Sequence, residues 1–213
     1  MKSKFKFGDG SASDMIAGNG NQDTMKFSGV FSFDHMRILE DKLKKKYIEL
    51  RDTTSLATAK AFFNLHAVKV DTWSAKNHVT DAGIDNILQE YFNGSAYTAT
   101  HFVGLTDGTP TTAITDTLLT GVWNEVTAYT EGVRQTYNPE PAVSKSIANS
   151  VSKASFSING SVTVGGAFLA LGSATNETAS VLVSVVAFDA PGDRVLVNGD
   201  TLNVTYTFSG ADS

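Results

Sequence analysis

A chain of 213 residues with 41% hydrophobic and 18% charged residues holds enough apolar material for one large or two small domains. It has no cysteine, which excludes disulfides, thiolate metal sites and cysteine nucleophiles together. The net charge of −5 is unevenly divided: residues 1–95 carry 13 Lys and Arg against 12 Asp and Glu, and residues 96–213 carry 4 against 10, so the two parts are expected to face different surroundings.

The opening stretch MKSKFKFGDGSASD is basic but has no apolar run behind it, and so does not read as a signal peptide; nowhere do enough consecutive apolar residues occur for a transmembrane span. Residues 1–30 are rich in Gly, Ser and Asn, with isolated aromatics at Phe5, Phe7 and Phe27. They read as an extended arm, either free or ordered on a neighbouring subunit. With Phe31 and Phe33 just beyond, these five phenylalanines are the candidate partner-binding residues, because few large aromatics anchor most interfaces. GVFSF, residues 29–33, alternates and predicts a short strand. Residues 34–52 place Met36, Leu39, Leu43, Tyr47 and Leu50 at helical spacing, with Asp34 as the expected N-cap. The cluster Lys42, Lys44, Lys45 and Lys46 on this helix is diluted by Glu40, Asp41, Glu49 and Asp52; it reads as a solvated face, and no nucleic-acid partner is expected. FFNLHAVKV, residues 62–70, predicts a strand. Residues 80–94 predict a helix capped by Thr80, with Ile84, Ile87, Leu88 and Tyr91 on one face and Asn93-Gly94 as the stop. Residues 31–95 are thus expected to form a small strand and helix region that packs on the C-terminal part of the chain.

From Tyr97 onward the pattern is that of strands. THFVGL runs into an Asp-Gly turn, WNEVTAY is rich in strand formers, and FSINGSVTV reads as a hairpin through Asn159-Gly160. ASVLVSVVAF is nearly continuous and apolar, as in a strand buried on both faces. RVLV and TLNVTYTF read as a closing hairpin through Asn198-Gly199-Asp200, with Leu202, Val204, Tyr206 and Phe208 on one face. Between Lys153 and Glu177 no side chain is ionisable, and the small uncharged residues there read either as contact with another protein or as a quiet Ser/Thr surface. Short strands with frequent Gly and Asn turns predict a mainly β fold, a jelly-roll-like antiparallel β-sandwich over residues 96–213.

Chemistry-bearing patterns are sparse. His35, His66, His78 and His101 show no metal-ligand spacing, and no GxSxG is present. Asp116 and Glu125 could be imagined as paired carboxylates, and Asp189, Asp193 and Asp200 as a calcium cradle, but turn and strand-edge roles explain all five. No catalytic, cofactor-binding or metal residue is assigned, and an enzyme is not expected.

One resemblance runs through the chain. The succession WSAKNHVTDAGIDNILQEYFNG (73–94), HFVGLTDGTPTTAITDTL (101–118), WNEVTAYTEGVRQTY (123–137), VGGAFLAL (164–171) and VNGDTLNVTYTFS (197–209) resembles a family of tailed-bacteriophage virion proteins, variously head decoration, minor structural or tail-fibre-like. The resemblance covers roughly residues 70–210. It implies a β-sandwich virion component, made in the bacterial cytoplasm, with no enzymatic activity and no active site. The partners it implies are the major capsid protein or other virion proteins, and further copies of itself, without a membrane. The first expectation is a capsid decoration or cement protein binding the head through its N-terminal part. The alternative is a tail fibre, adaptor or receptor-binding protein, for which Tyr129 and Tyr137 would be sugar-facing candidates.

Overall fold

The computed structural model of the chain describes residues 13–17, 23–93, 100–118, 123–188 and 192–212. Side-chain alternation organises its first long strand, β2 (Asp23–Arg37), in which Phe31, Phe33 and His35 are buried while Ser32 is exposed. β1 (Ser13–Ala17) pairs with the first half of β2, Ser13 opposite Phe27. The last strand, β12 (Thr201–Asp212), lies along the other side of β2, from Asp212 opposite Met25 to Thr201 opposite Met36. The alternation foreseen in β12 is present: Leu202, Val204 and Tyr206 are buried, and the Tyr206 ring packs 4.5 Å from that of Phe31.

β3 (Val68–Val79) pairs with β2 from Val68 to Asn77 and then passes to β10 (Leu182–Ala187), which it meets at His78 and Val79. β10 pairs with β9 (Val162–Ala170), and β9 with β4 (Phe102–Asp107) and β11 (Arg194–Leu196). β4 also takes β5 (Asn124–Glu125) and β6 (Gln135–Thr136), while β7 (Ser146–Ala148) and β8 (Ala154–Ser157) pair with β12. All these ladders are antiparallel, and among the described residues they make one twelve-stranded sheet. The sheet folds over at β3, so that Phe31, Phe33, Val204 and Tyr206 of one half meet Val103, Leu105, Leu169 and Val186 of the other in a central core. The protein is mainly β and sandwich-like. Burying each such side chain contributes about 2 kcal/mol, which is what closes the two halves on each other.

Among the described residues three helices accompany the sheet. α1 (Asp41–Thr53) and α2 (Leu56–His66) join β2 to β3 and enclose a second core of Ile38, Tyr47, Ala59 and Phe63. α3 (Asp81–Phe92) starts where the sequence places it: Thr80 Oγ1 accepts the Gly83 N–H at 3.1 Å and donates to the Leu182 carbonyl, tying the cap to β10.

Several sequence expectations change. The helix expected from Asp34 begins at Asp41, because Asp34, His35 and Arg37 continue β2 and are held there by partners far along the chain. Residues 62–66 are helical, in α2, because Ser55 caps that helix and Ala59 and Phe63, four apart, bury on Tyr47. The two expected hairpins are crossovers. β8 pairs with β12 and β9 with β4 and β10, and Gly160 stays out of the left-handed region that a tight hairpin turn demands. β11 likewise pairs with β9 and β12 with β2, the corner between them made by Gly199 at φ +92°. The uncharged stretch after Lys153 also has another cause. β9 is buried on both faces, Val164, Ala167 and Leu169 in the central core and Phe168 and Ala170 in a third cluster under Leu118 and Trp123. Charge is absent there because the chain covers itself. The boundary expected near residue 95 runs through this same sheet, since β2 and β3 lie between β10 and β12.

Candidate functional site

The ionisable groups with the strongest sequence signals serve to join strands. Arg134, the bulkiest of the fully buried side chains, donates from Nε and Nη2 to the two Glu125 oxygens, each at 2.9 Å. It also donates to the carbonyls of Gly172 and Glu177 at 3.0 Å, and its guanidinium lies 5.0 Å over the Phe168 ring. Glu125 further accepts the Asn176 N–H at 2.7 Å, while Asp116 accepts the Ala113 N–H of its own turn at 2.7 Å. The two imagined paired carboxylates are therefore committed to different framework contacts.

Asp200 sits under the corner between β11 and β12. It accepts Arg37 Nε at 2.7 Å and Nη2 at 2.6 Å, lies 2.9 Å from His35 Nε2, and takes the Val197 N–H at 3.0 Å. Burial by itself would raise its carboxyl; the Arg37 guanidinium, helped by His35 and the Val197 N–H, outweighs this and holds it well below the usual carboxylate range. Asp34 is gripped by Lys69 at 2.7 Å and Lys153 at 2.6 Å. Burial again opposes ionisation, and the two lysines with Thr72 lower the carboxyl to about 2. Asp193 accepts from Thr109, Asp189 lies outside the described residues, and among the described residues no three His, Asp or Glu are arranged to hold a metal ion.

The candidate partner-binding phenylalanines divide. Phe31 and Phe33 are core residues with no exposed surface to offer; the inward face of β2 claims them, and this corrects their assignment as anchors. Phe27 is half-buried, its ring stacked 5.6 Å from Phe208. Phe5 and Phe7 lie outside the described residues. Tyr129 and Tyr137, the imagined sugar-facing side chains, are also buried, and burial pushes the Tyr129 hydroxyl well above its ordinary range.

Two features of the described residues stand out. At one end of the sandwich a cavity of about 670 Å³ is lined by Ile87, Tyr137, Ile147, Val183, Tyr206 and Phe208, with His101 at its wall; burial pushes the His101 imidazole towards its neutral form. The second is the outer edge of β3. On one side β3 pairs with β2, and on the other only His78 and Val79 pair with β10, so positions 68–76 have no strand on that side among the described residues. Behind this edge Trp73 stacks on Phe33 at 5.1 Å and meets Phe188 edge-on at 5.3 Å, with the Arg194 guanidinium 4.8 Å over its ring. Nothing in the local sequence marks where β10 leaves β3; the sole local hint is the run of exposed positions 68–72.

No protein family matches the chain, no curated protein matches it, and no solved structure matches its fold.

Proposed function

We propose that the chain is a structural protein of a bacteriophage virion, in first place a decoration protein that binds the head shell through its N-terminal part and stiffens it. The observation that carries this reading is the ordered set of motifs between residues 73 and 209 that resembles such proteins, together with what those residues do. The Thr80 cap and Gly83 lock α3 onto β10, where a Cβ on Gly83 would stand 2.4 Å from the Val183 carbonyl oxygen. Gly165 packs against the backbone of Gly108, where a Cβ would stand 1.8 Å away. Glu125 and Arg134 clamp three segments, and Asp200 fixes the last corner. A pattern made of framework positions fits a body that is itself the product, as a shell component is. The two most exposed large apolar side chains of residues 31–70, Leu39 and Leu65 at 67% and 78%, lie in the near-neutral part that would face the shell. Many modest contacts repeated over a lattice sum to firm attachment.

The test is the number of copies per virion, by quantitative mass spectrometry of purified particles against the major capsid protein. A fixed ratio near one, or another large fraction of it, is expected. A handful of copies set by a tail or vertex symmetry would move the protein to the tail, and absence from particles would overturn the virion reading.

A further inference from the structure

We infer that Asn159 is a site of spontaneous covalent change, converting to aspartate and isoaspartate through a cyclic imide formed with Gly160, while the chemically equivalent pair Asn198-Gly199 is protected. This goes beyond the virion reading and does not depend on it.

The reaction needs only the chain and water. The Gly160 nitrogen gives up its proton to solvent base and attacks the side-chain carbonyl carbon of Asn159. The new C–N bond closes a succinimide ring, and the side-chain amide leaves as ammonia. Water then opens the ring at either carbonyl. Opening at the side-chain carbonyl gives aspartate; opening at the main-chain carbonyl gives isoaspartate, whose main chain runs through the former side chain. Glycine suits the second position because it carries no Cβ to block the approach. One neutral amide becomes one carboxylate, so the net charge moves from −5 by one unit to −6.

The sequence holds Asn-Gly at 19–20, 93–94, 159–160 and 198–199. Gly20 and Gly94 lie outside the described residues; the other two pairs are neighbours that meet through Ile158. At Asn159 both reacting groups are free. The residue is exposed, between β8 and β9 and well inside the described span 123–188. Its own N–H is held by the Ala128 carbonyl at 3.1 Å, and the Ile158 N–H by the Asp200 carbonyl at 2.9 Å. Among the described residues, however, neither its side-chain amide nor the Gly160 N–H has a hydrogen-bond partner. A Cβ placed on Gly160 would meet Ala128 Cβ at 3.7 Å, an ordinary contact, so the Asn159 side chain has room to fold onto the nitrogen.

At Asn198 both groups are engaged. Its Oδ1 accepts Arg51 Nη1 at 2.9 Å, and the Gly199 N–H, the would-be nucleophile, donates to the Ile158 carbonyl at 2.9 Å. Gly199 is buried at φ +92°, and a Cβ there would stand 2.9 Å from Lys44 Cε and 3.6 Å from Ile48 Cδ1 of α1. Ring closure at Asn198 therefore has to break both hydrogen bonds beneath a packed helix. The same sequence pair is reactive at one corner and locked at the next. β8 pairs with β12 and β9 with β4 and β10, so the reactive pair sits in the crossover between the two halves of the sheet. Isoaspartate there lengthens the main chain of that crossover by one carbon.

The test keeps the full-length protein in warm, mildly alkaline buffer and follows it for weeks by peptide mass spectrometry that resolves Asn, Asp and isoaspartate at each pair. Conversion at Asn159 should run about tenfold or more faster than at Asn198, the factor that one hydrogen bond to a charged group supplies. In urea, where the fold no longer distinguishes them, the two rates should come together. Gly160→Ala, whose Cβ has room, should leave the urea midpoint in place and slow the reaction at Asn159. Equal rates at the two pairs in the folded protein, or a faster rate at Asn198, would overturn the inference. Aspartate without isoaspartate at Asn159, or a rate that Gly160→Ala leaves unchanged, would also overturn it, since neither is compatible with the imide. None of these outcomes alters the copy number on particles, so the two readings fail separately.

Discussion

At the scale of single residues, buried charge is the main device. Arg134 is the clearest case, because the side chain is buried and its donors face Glu125 and two carbonyls inside the protein. Removing one partner of such a pair strands the other, which costs about 3–5 kcal/mol. Arg134→Ala should lower the unfolding free energy by that amount in urea titrations. Arg134→Lys should recover less than half of it, since one ammonium cannot replace a forked donor. Acid should act through Asp34 and Asp200. Both carboxyls are depressed in the folded state, Asp34 from 3.8 to about 2 and Asp200 further, so their contribution is complete above pH about 4 and is lost as pH falls through the folded values. Urea midpoints measured from pH 5 down to pH 2 should fall across that window, and Asp34→Asn should make the fall shallower. A variant with an unchanged pH profile would remove Asp34 from the account.

At the scale of elements, the agreement between sequence and structure follows the range of the interactions involved. α3 was legible because its signals are local: Thr80 caps it and apolar residues recur along it at helical spacing. The facing of β12 was legible for the same reason, as alternation needs no partner to be read. The start of α1 was not, because Asp34 looks like a cap until Lys69 and Lys153 are brought to it from 35 and 119 residues away. The hairpins failed on the same ground: β8 and β9 are adjacent in sequence yet belong to opposite halves of the sheet. Gly83 offers a test in which two effects oppose each other. Helix propensity alone predicts that Gly83→Ala stabilises α3 by about 1 kcal/mol. The Cβ would press on the Val183 carbonyl, however, and such overpacking costs about 1–3 kcal/mol. Thermal unfolding should therefore show a lower Tm for Gly83→Ala; a higher one would mean that α3 can lift from β10 freely.

At the scale of the whole molecule, β2 and β3 are decisive, because they supply the middle of a sheet whose other strands come from residues 96–213. Residues 96–213 expressed alone would leave β10 and β12 without the two strands between them and expose Val204, Tyr206 and Val186. That fragment should fail to give dispersed NMR spectra, and the full chain should unfold in one transition. A folded fragment would show that the two parts are independent after all. The sequence by itself determined the β class, the exposed and buried faces of β12, the helix at Thr80 and the lack of any cysteine chemistry, since each rests on composition or on neighbours within four residues. Only the tertiary structure decided which strands pair, why residues 154–176 need no charge, and that Phe31 and Phe33 are core and not anchors. Those depend on contacts between residues far apart in the chain, whose partners a local pattern cannot name.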